Sequence, residues 1–296
     1  MDPKNSKEFV GKKANEYWKS VDMYVGGAEH ATGHLLYSRF WNKFLYDYGY
    51  IVEDEPFKTY KNLGMILGQD SRKMSKRWGN VVNPDDVVKN VGADTLRVYE
   101  CFMGPFDQEI AWSTDSMVGS RRFLDKVWKL QEKVENGVND SEETLILLNQ
   151  TIKKVGDDIN SFNFNTAISS MMILVNKFES AEKISKETYL TFIKILSPFA
   201  PHIPEELWAN LGNKNLLVFE KWPKYDENKL ISSKTKIIVQ INGKVRGTVE
   251  LSNNPSEEAI EKAVMSDKSL VKWIEGKKIL KKIYIKNKVL NFVIAQ

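Results

Sequence analysis

Asp22-Met23-Tyr24-Val25-Gly26-Gly27-Ala28-Glu29-His30-Ala31-Thr32-Gly33-His34 reads as a short apolar strand that ends on a glycine pair and runs into a helix start. Helical spacing of Leu35, Leu36, Phe40, Phe44 and Leu45 predicts a helix over 29–48. Strand, glycine and helix in that order are the unit of an α/β fold. The glycines let a ligand approach the backbone and the helix N-terminus at the carboxyl end of the strand. Outward from this unit, residues 62–67 predict a second strand, followed by the basic loop Lys73-Met74-Ser75-Lys76-Arg77. Two helical pieces, 84–90 and 93–102, come next. Asn83 as cap, Pro84 at the first helical position and Asp94 near a helix N-terminus are structural choices that need no catalytic role.

From about residue 116 the pattern changes to helix-period segments over 116–135, 142–160, 165–178, 186–196 and 204–211, which predict an antiparallel bundle. Trp128, Phe162, Phe164 and Trp208 are assigned to its core, and the proline-rich stretch 197–204 to an inter-helix corner. Alternation over 236–241 and 245–251 flanks Asn242-Gly243, a strong hairpin signal. A helix over 257–274 and strands over 279–285 and 289–294 complete a small α/β module. The predicted architecture is an α/β region of partial Rossmann type over 1–115, an all-α bundle over 116–212, a linker over 213–233 and an α/β C-terminal domain over 234–296.

With 296 residues, 42% apolar and 28% charged, the chain has the composition of a soluble globular protein. No apolar run approaches the ~20 residues of a membrane span. The N-terminus lacks an apolar signal region, so the cytoplasm is the expected compartment. Cys101 is the single cysteine, which excludes an internal disulfide and a thiolate-rich zinc site; any metal must be held by oxygen or imidazole. Net charge is +4, yet from Lys234 onward there are 13 Lys or Arg against 6 Asp or Glu. A basic terminal module on a slightly acidic body points to a polyanion such as RNA or DNA. Lys244 and Arg246 beside the hairpin turn, and Lys277, Lys278, Lys281 and Lys282 further on, are its candidate phosphate contacts.

Lys73 and Lys76, three apart on a loop before a helix start, suit the grip of a nucleoside triphosphate, because an ammonium on a flexible stem can follow charge as it shifts among phosphates. Taken alone, the same pentapeptide would be a solvated turn. Glu29 is placed to take ribose hydroxyls beside Gly27. His30 and His34, four apart, are expected to share a helix face and line one pocket. They make a poor metal pair, since no third ligand is evident.

These pieces, in this order, resemble class I aminoacyl-tRNA synthetases, and within them the C-terminal portion of the bacterial-type leucyl-tRNA synthetase family. Lys73 to Arg77 is similar to the family's KMSKS loop. Residues 22–41, 92–97, 164–168, 198–203 and 239–246 also match, so the resemblance covers essentially the whole chain. It implies a ligase that activates leucine with ATP as leucyl-adenylate, then transfers it to the 3′ end of tRNA(Leu). Lys73 and Lys76 would act on the leaving pyrophosphate, Gly27 and Glu29 would hold ATP, and His30 and His34 would border the leucine pocket. Mg²⁺ would travel with ATP, with no protein-bound zinc. The bundle resembles an anticodon-binding domain. The basic module, through Lys244, Arg246, Lys281 and Lys282, resembles a tRNA-contacting domain, with neither DNA nor membrane as partner.

Three departures stand out. Arg77 occupies the usual serine position of the loop, and the insertion many bacterial relatives carry before it is absent. The family's His-x-Gly-His turn is also missing: His30-Ala31-Thr32-Gly33-His34 is one residue too long, and its neighbours match a later segment. The chain is therefore expected to hold half an active site and to need an N-terminal synthetase half with the editing domain. A non-catalytic tRNA-binding module is the alternative.

Overall fold

Two short parallel strands begin the fold. In the computed structural model, which describes residues 2–230, 234–252 and 255–295, α1 (Lys12–Trp18) precedes β1 (Tyr24–Gly27), α2 (His34–Asp47) and β2 (Tyr60–Leu63). β1 and β2 pair in parallel, Tyr24 beside Tyr60 and Gly27 beside Leu63. β3 (Ile66–Leu67) then pairs in parallel with β4 (Ile110–Ala111). The single strand predicted over 62–67 is thus two strands with different partners. Gly64 marks the break: its N–H donates to the Phe106 carbonyl at 2.8 Å, and a Cβ there would lie 1.8 Å from the carbonyl oxygen of Gln108. Because the obstacle is backbone, Gly64→Ala is expected to cost about 2 kcal/mol or more in urea unfolding.

α3 (Pro84–Val91) starts as its sequence predicts, with the Asn83 side chain accepting from the Asp85 N–H and Pro84 in the first turn. Gly92, at φ +90°, turns the chain into α4 (Ala93–Phe102). Asp94 in that first turn is only 5% exposed. It accepts from the His202 N–H at 3.1 Å, the Ile203 N–H at 2.6 Å and His202 Nδ1 at 2.7 Å. One turn on, Arg97 donates to the carbonyls of Phe199 (3.2 Å) and Pro198 (2.9 Å). The 92–97 motif therefore clamps the proline-rich corner that leads into α9 (His202–Asn210).

α5 (Thr114–Leu130), capped by the Ser113 hydroxyl, packs with α4, α7 (Phe164–Ser180) and α9, and α8 (Lys186–Leu196) packs with α9. Leu124, Val127, Met171, Leu174, Phe178, Tyr189, Phe192 and Leu196 form the buried interior of these helices. The Tyr189 hydroxyl donates to the Val127 carbonyl at 2.7 Å, and burial pushes its pKa up. Two-residue strands β5 (Val134–Glu135) and β6 (Ile184–Ser185) pair in parallel. Trp208 is buried, whereas Trp128, expected in the core, is 40% exposed; it sits between the inward-facing Val127 and Leu124 rows and the surface.

Contacts divide the chain into two compact units, residues 1–140 with 151–223, and residues 141–150 with 224–296. α6 (Glu142–Ser161) contributes to both. In the second unit, Gln150 donates to the Leu230 carbonyl at 2.7 Å, and Asn149 accepts from the Asp226 N–H at 2.7 Å. The last three residues of the predicted linker, 231–233, lie outside the described residues. β7 (Lys234–Ile241) and β8 (Lys244–Ser252) form the predicted hairpin, with Asn242 and Gly243 both at positive φ, 48° and 77°. β10 (Val289–Ile294) lies parallel to β7 and antiparallel to β9 (Ile279–Ile285), giving the order β8-β7-β10-β9. The helix predicted over 257–274 is broken: α10 (Glu257–Ser266) stops at Asp267, whose carboxylate accepts from the Ser269 N–H and starts α11 (Lys268–Val271). Ile237, Val239, Ile260, Val264, Leu270, Leu290 and Phe292 are the module's core.

Candidate functional site

The lysine loop leaves the carboxyl end of β3 and returns to α3. Met74 points inward, packed against the buried cluster of Leu96, Tyr99, Trp112 and Met117. With Met74 sunk in that cluster, Lys73 and Lys76 on either side are exposed, and among the described residues neither ammonium has a hydrogen bond or an ion pair. Asn80, which the sequence reading passed over, holds the loop from inside by accepting from the Ser75 N–H at 2.9 Å. Asn80 lies three residues beyond the pentapeptide, so only the fold brings it back to Ser75.

At the carboxyl end of β1, Gly27 is buried and the Glu29 carboxylate folds over it. A Cβ at position 27 would sit 2.2 Å from Glu29 Oε2. The predicted helix over 29–48 is a 3₁₀ turn, Ala28–Ala31, followed by α2, with Gly33 between them. His30 and His34 therefore stand on different elements and share no α-helical face. His30 is exposed. His34 Nδ1 lies 2.9 Å from the Tyr24 hydroxyl, with the rings stacked at 5.4 Å, and Tyr24 in turn packs on Phe57 at 4.5 Å. Tyr24 was legible only as a strand residue; its role in orienting His34 depends on the strand end meeting the helix start. The lysine loop and the Gly27–His34 segment both project from carboxyl ends of parallel strands, where open α/β sheets bind ligands.

α2 carries the largest disagreement with the sequence reading. Its apolar residues recur at helical spacing, yet the helix has no buried residue. One side is held by charge: Arg39 Nη2 lies 2.6 Å and Lys43 2.8 Å from Glu55, and Arg39 first, then Lys43, holds that carboxyl at about 2. The opposite side presents Leu36, Tyr37, Phe40 and Trp41, each between 55% and 63% exposed, with Phe44 and Tyr48 continuing the stripe. β1 has β2 as its one strand partner among the described residues. The helical spacing of these residues was read from the sequence; among the described residues no element covers them. An uncovered aromatic patch of this kind marks an interaction face.

Elsewhere, burial pushes the Cys101 thiol up to about 11, so it carries little thiolate at neutral pH. Among the described residues no group of three or more His, Cys, Asp or Glu is placed to hold a metal, and no helix is long and apolar enough to cross a membrane. In the basic module Lys244 and Arg246 are exposed at the hairpin, and the Arg246 guanidinium lies 3.7 Å over the Trp273 ring. Lys281 is exposed on β9, while Lys282 is engaged by both carboxylate oxygens of Glu261 at 2.6 Å.

Residues 10–113 match the family described as tRNA synthetases class I (I, L, M and V), and residues 142–261 match the anticodon-binding domain of tRNA ligase. The parallel-strand region that carries the lysine loop is thus similar to the class I aminoacyl-tRNA synthetases, and the helices after it to their anticodon-binding domain. Within that class the chain is similar to a leucine–tRNA ligase: it is 47% identical over 302 aligned positions to that of Leptospira biflexa, covering all of this chain and 35% of that protein. The crystal structure of the ternary complex of Agrobacterium radiobacter K84 agnB2 LeuRS with tRNA and LeuAMS matches with a TM-score of 0.68 and 34% identity, over 93% of this chain and 38% of that one. Mycobacterium tuberculosis methionyl-tRNA synthetase bound by methionyl-adenylate shares the fold at TM-score 0.51 and 18% identity, over 69% of this chain and 46% of that one. The chain thus spans about a third of the length of its leucine-specific relatives.

Proposed function

We propose that the chain supplies the lysine-loop half of a leucine-activating site together with the modules that hold tRNA(Leu). The observation that carries this reading is the pair of exposed, unpartnered ammonium groups on a loop anchored by Met74. In the reaction, a leucine carboxylate oxygen attacks the α-phosphorus of ATP, and the bond from that phosphorus to the bridging oxygen of pyrophosphate breaks. Negative charge grows on the leaving group, where Lys76, assisted by Lys73, neutralises it. Mg²⁺ arrives on the nucleotide. Gly27 admits the nucleotide close to the strand end, Glu29 accepts hydrogen bonds from ribose hydroxyls, and His30 with Tyr24-oriented His34 borders the leucine side chain.

The aromatic side of α2 seats the part of the fold that bears the His-x-Gly-His turn, on the same polypeptide or a second one. Burying such a stripe is worth roughly 25 cal/mol per Å² of apolar surface removed from water. The chain joined to, or mixed with, a segment carrying that turn is expected to catalyse leucine-dependent ATP–pyrophosphate exchange. A well-folded complex without exchange overturns the reading. Tight tRNA binding indifferent to Lys76→Ala and to the other half would instead favour the non-catalytic module.

On the tRNA side, the exposed Lys244 and Lys281, with Arg246 stacked on Trp273, are the cations that contact phosphate. Lys244→Ala is expected to weaken tRNA binding without changing sequence preference, and to reduce the slope of log affinity against log salt by about 1. Filter binding across a salt series measures it.

A further inference from the structure

We infer that Asn80 is a positioning residue for the lysine loop, acting through the main chain on either side of Met74 to present Lys73 and Lys76 to the pyrophosphate; this rests on the leucine-activating reading above. The Asn80 amide makes three contacts inside the loop. Its Oδ1 accepts from the Ser75 N–H at 2.9 Å, and its Nδ2 donates to Asp70 Oδ1 at 3.0 Å and reaches the Lys73 carbonyl at 3.4 Å. Ser75 lies directly before Lys76, so one side chain touches the backbone of the first lysine and of the residue preceding the second.

Asp70, the other end of the latch, accepts from the Arg72 N–H at 3.1 Å and from Arg72 Nε at 2.8 Å. Asn80 lowers the Asp70 carboxyl below its usual range, with the Arg72 contacts adding to the effect. Gly68 closes against the pair, since a Cβ there would meet Asn80 Nδ2 at 2.7 Å and Asp70 Oδ1 at 2.8 Å. Gly79, at φ +65°, supplies the turn that brings residue 80 back. The guanidinium groups of Arg72 and Arg77 both lie over the Trp78 ring, at 4.9 and 5.2 Å. Arg77 is thus occupied with Trp78, and the two lysines are the cations of the loop left for a ligand.

A long, flexible side chain ordered at its base loses less freedom when its tip meets a phosphate. Loss of the latch should therefore act on the charge-developing step more than on ATP binding. With the chain joined to its His-x-Gly-His half, Asn80→Ala is expected to lower kcat for leucine-dependent exchange roughly 10- to 100-fold with little change in the KM for ATP. Placed on Lys76→Ala, Asn80→Ala should add less than it costs alone, because only the part of its effect that passes through Lys73 remains. The swap Asn80→Asp with Asp70→Asn restores a donor–acceptor pair and is expected to recover part of the rate lost in Asn80→Ala.

Limited trypsin digestion of the chain reads loop order without activity: cutting after Lys73, Lys76 and Arg77 should be faster in Asn80→Ala. Faster cutting with kcat unchanged means a merely structural latch and overturns the inference, as does no change in either. If Lys76→Ala itself leaves exchange intact, the pyrophosphate-grip reading falls and the inference with it. A loss with Lys76→Ala but none with Asn80→Ala overturns the latch alone.

Discussion

Lys76→Ala, in the chain joined to its His-x-Gly-His half, is expected to lower the rate of leucine-dependent ATP–pyrophosphate exchange by roughly 10²- to 10³-fold, the range for removing a group that stabilises charge developing in the transition state. Its leucine KM should barely move, because the lysine meets charge that appears only as the Pα–O bond lengthens. The melting temperature should also stay the same: Lys76 is exposed, with no partner among the described residues, and surface changes of this kind are usually worth within about 0.5 kcal/mol. That separation makes the test clean, since lost rate cannot be blamed on lost fold. Lys76→Arg keeps the charge but replaces a compact ammonium with a planar fork, so partial recovery is expected. Lys73→Ala is expected to cost less.

Asp94→Ala should give the largest loss of stability of any single change considered, about 3 kcal/mol, read as a lower urea midpoint for the first unit. α9 begins at His202, and Pro201 before it offers no side-chain cap. Two first-turn N–H groups, those of His202 and Ile203, point instead at the Asp94 carboxylate, which comes from a helix 108 positions earlier. Alanine leaves both donors without their acceptor at the buried Asp94 position and removes the His202 Nδ1 contact as well. Asp94→Asn retains one acceptor oxygen and is expected to lose less. Hydrogen exchange at His202 and Ile203 should speed up before exchange in the α7 and α8 core, which does not depend on the clamp.

Local chemistry was well read from the residues. The Asn83-Pro84 start of α3, the Asn242-Gly243 hairpin and the bundle helices all fell close to their predicted ranges, because caps, turn residues and 3.6-residue periodicity are signals held within a few neighbouring positions. The lysine loop was legible for the same reason, as two lysines three apart on a short loop before a helix start. Errors came where a distant partner decided the outcome. The strand over 62–67 was broken by the backbone of Gln108, and Trp128 kept its helical spacing while facing outward. The helix over 257–274 was broken locally at Asp267, a cap signal that its apolar period obscured.

By itself, then, the sequence determined most of the bundle helices, the start of α3 and the Asn242-Gly243 hairpin, where the cations stand, and that the apolar residues of α2 recur at helical spacing. Only the tertiary structure decided that Met74 anchors the loop, that Asn80 and Asp70 clasp it, that Asp94 caps a helix a hundred residues away, and that the aromatic side of α2 is left exposed among the described residues. The physical reason is range. Backbone propensity and capping act over one turn, whereas burial and buried hydrogen bonds depend on groups the chain brings together only once it has folded.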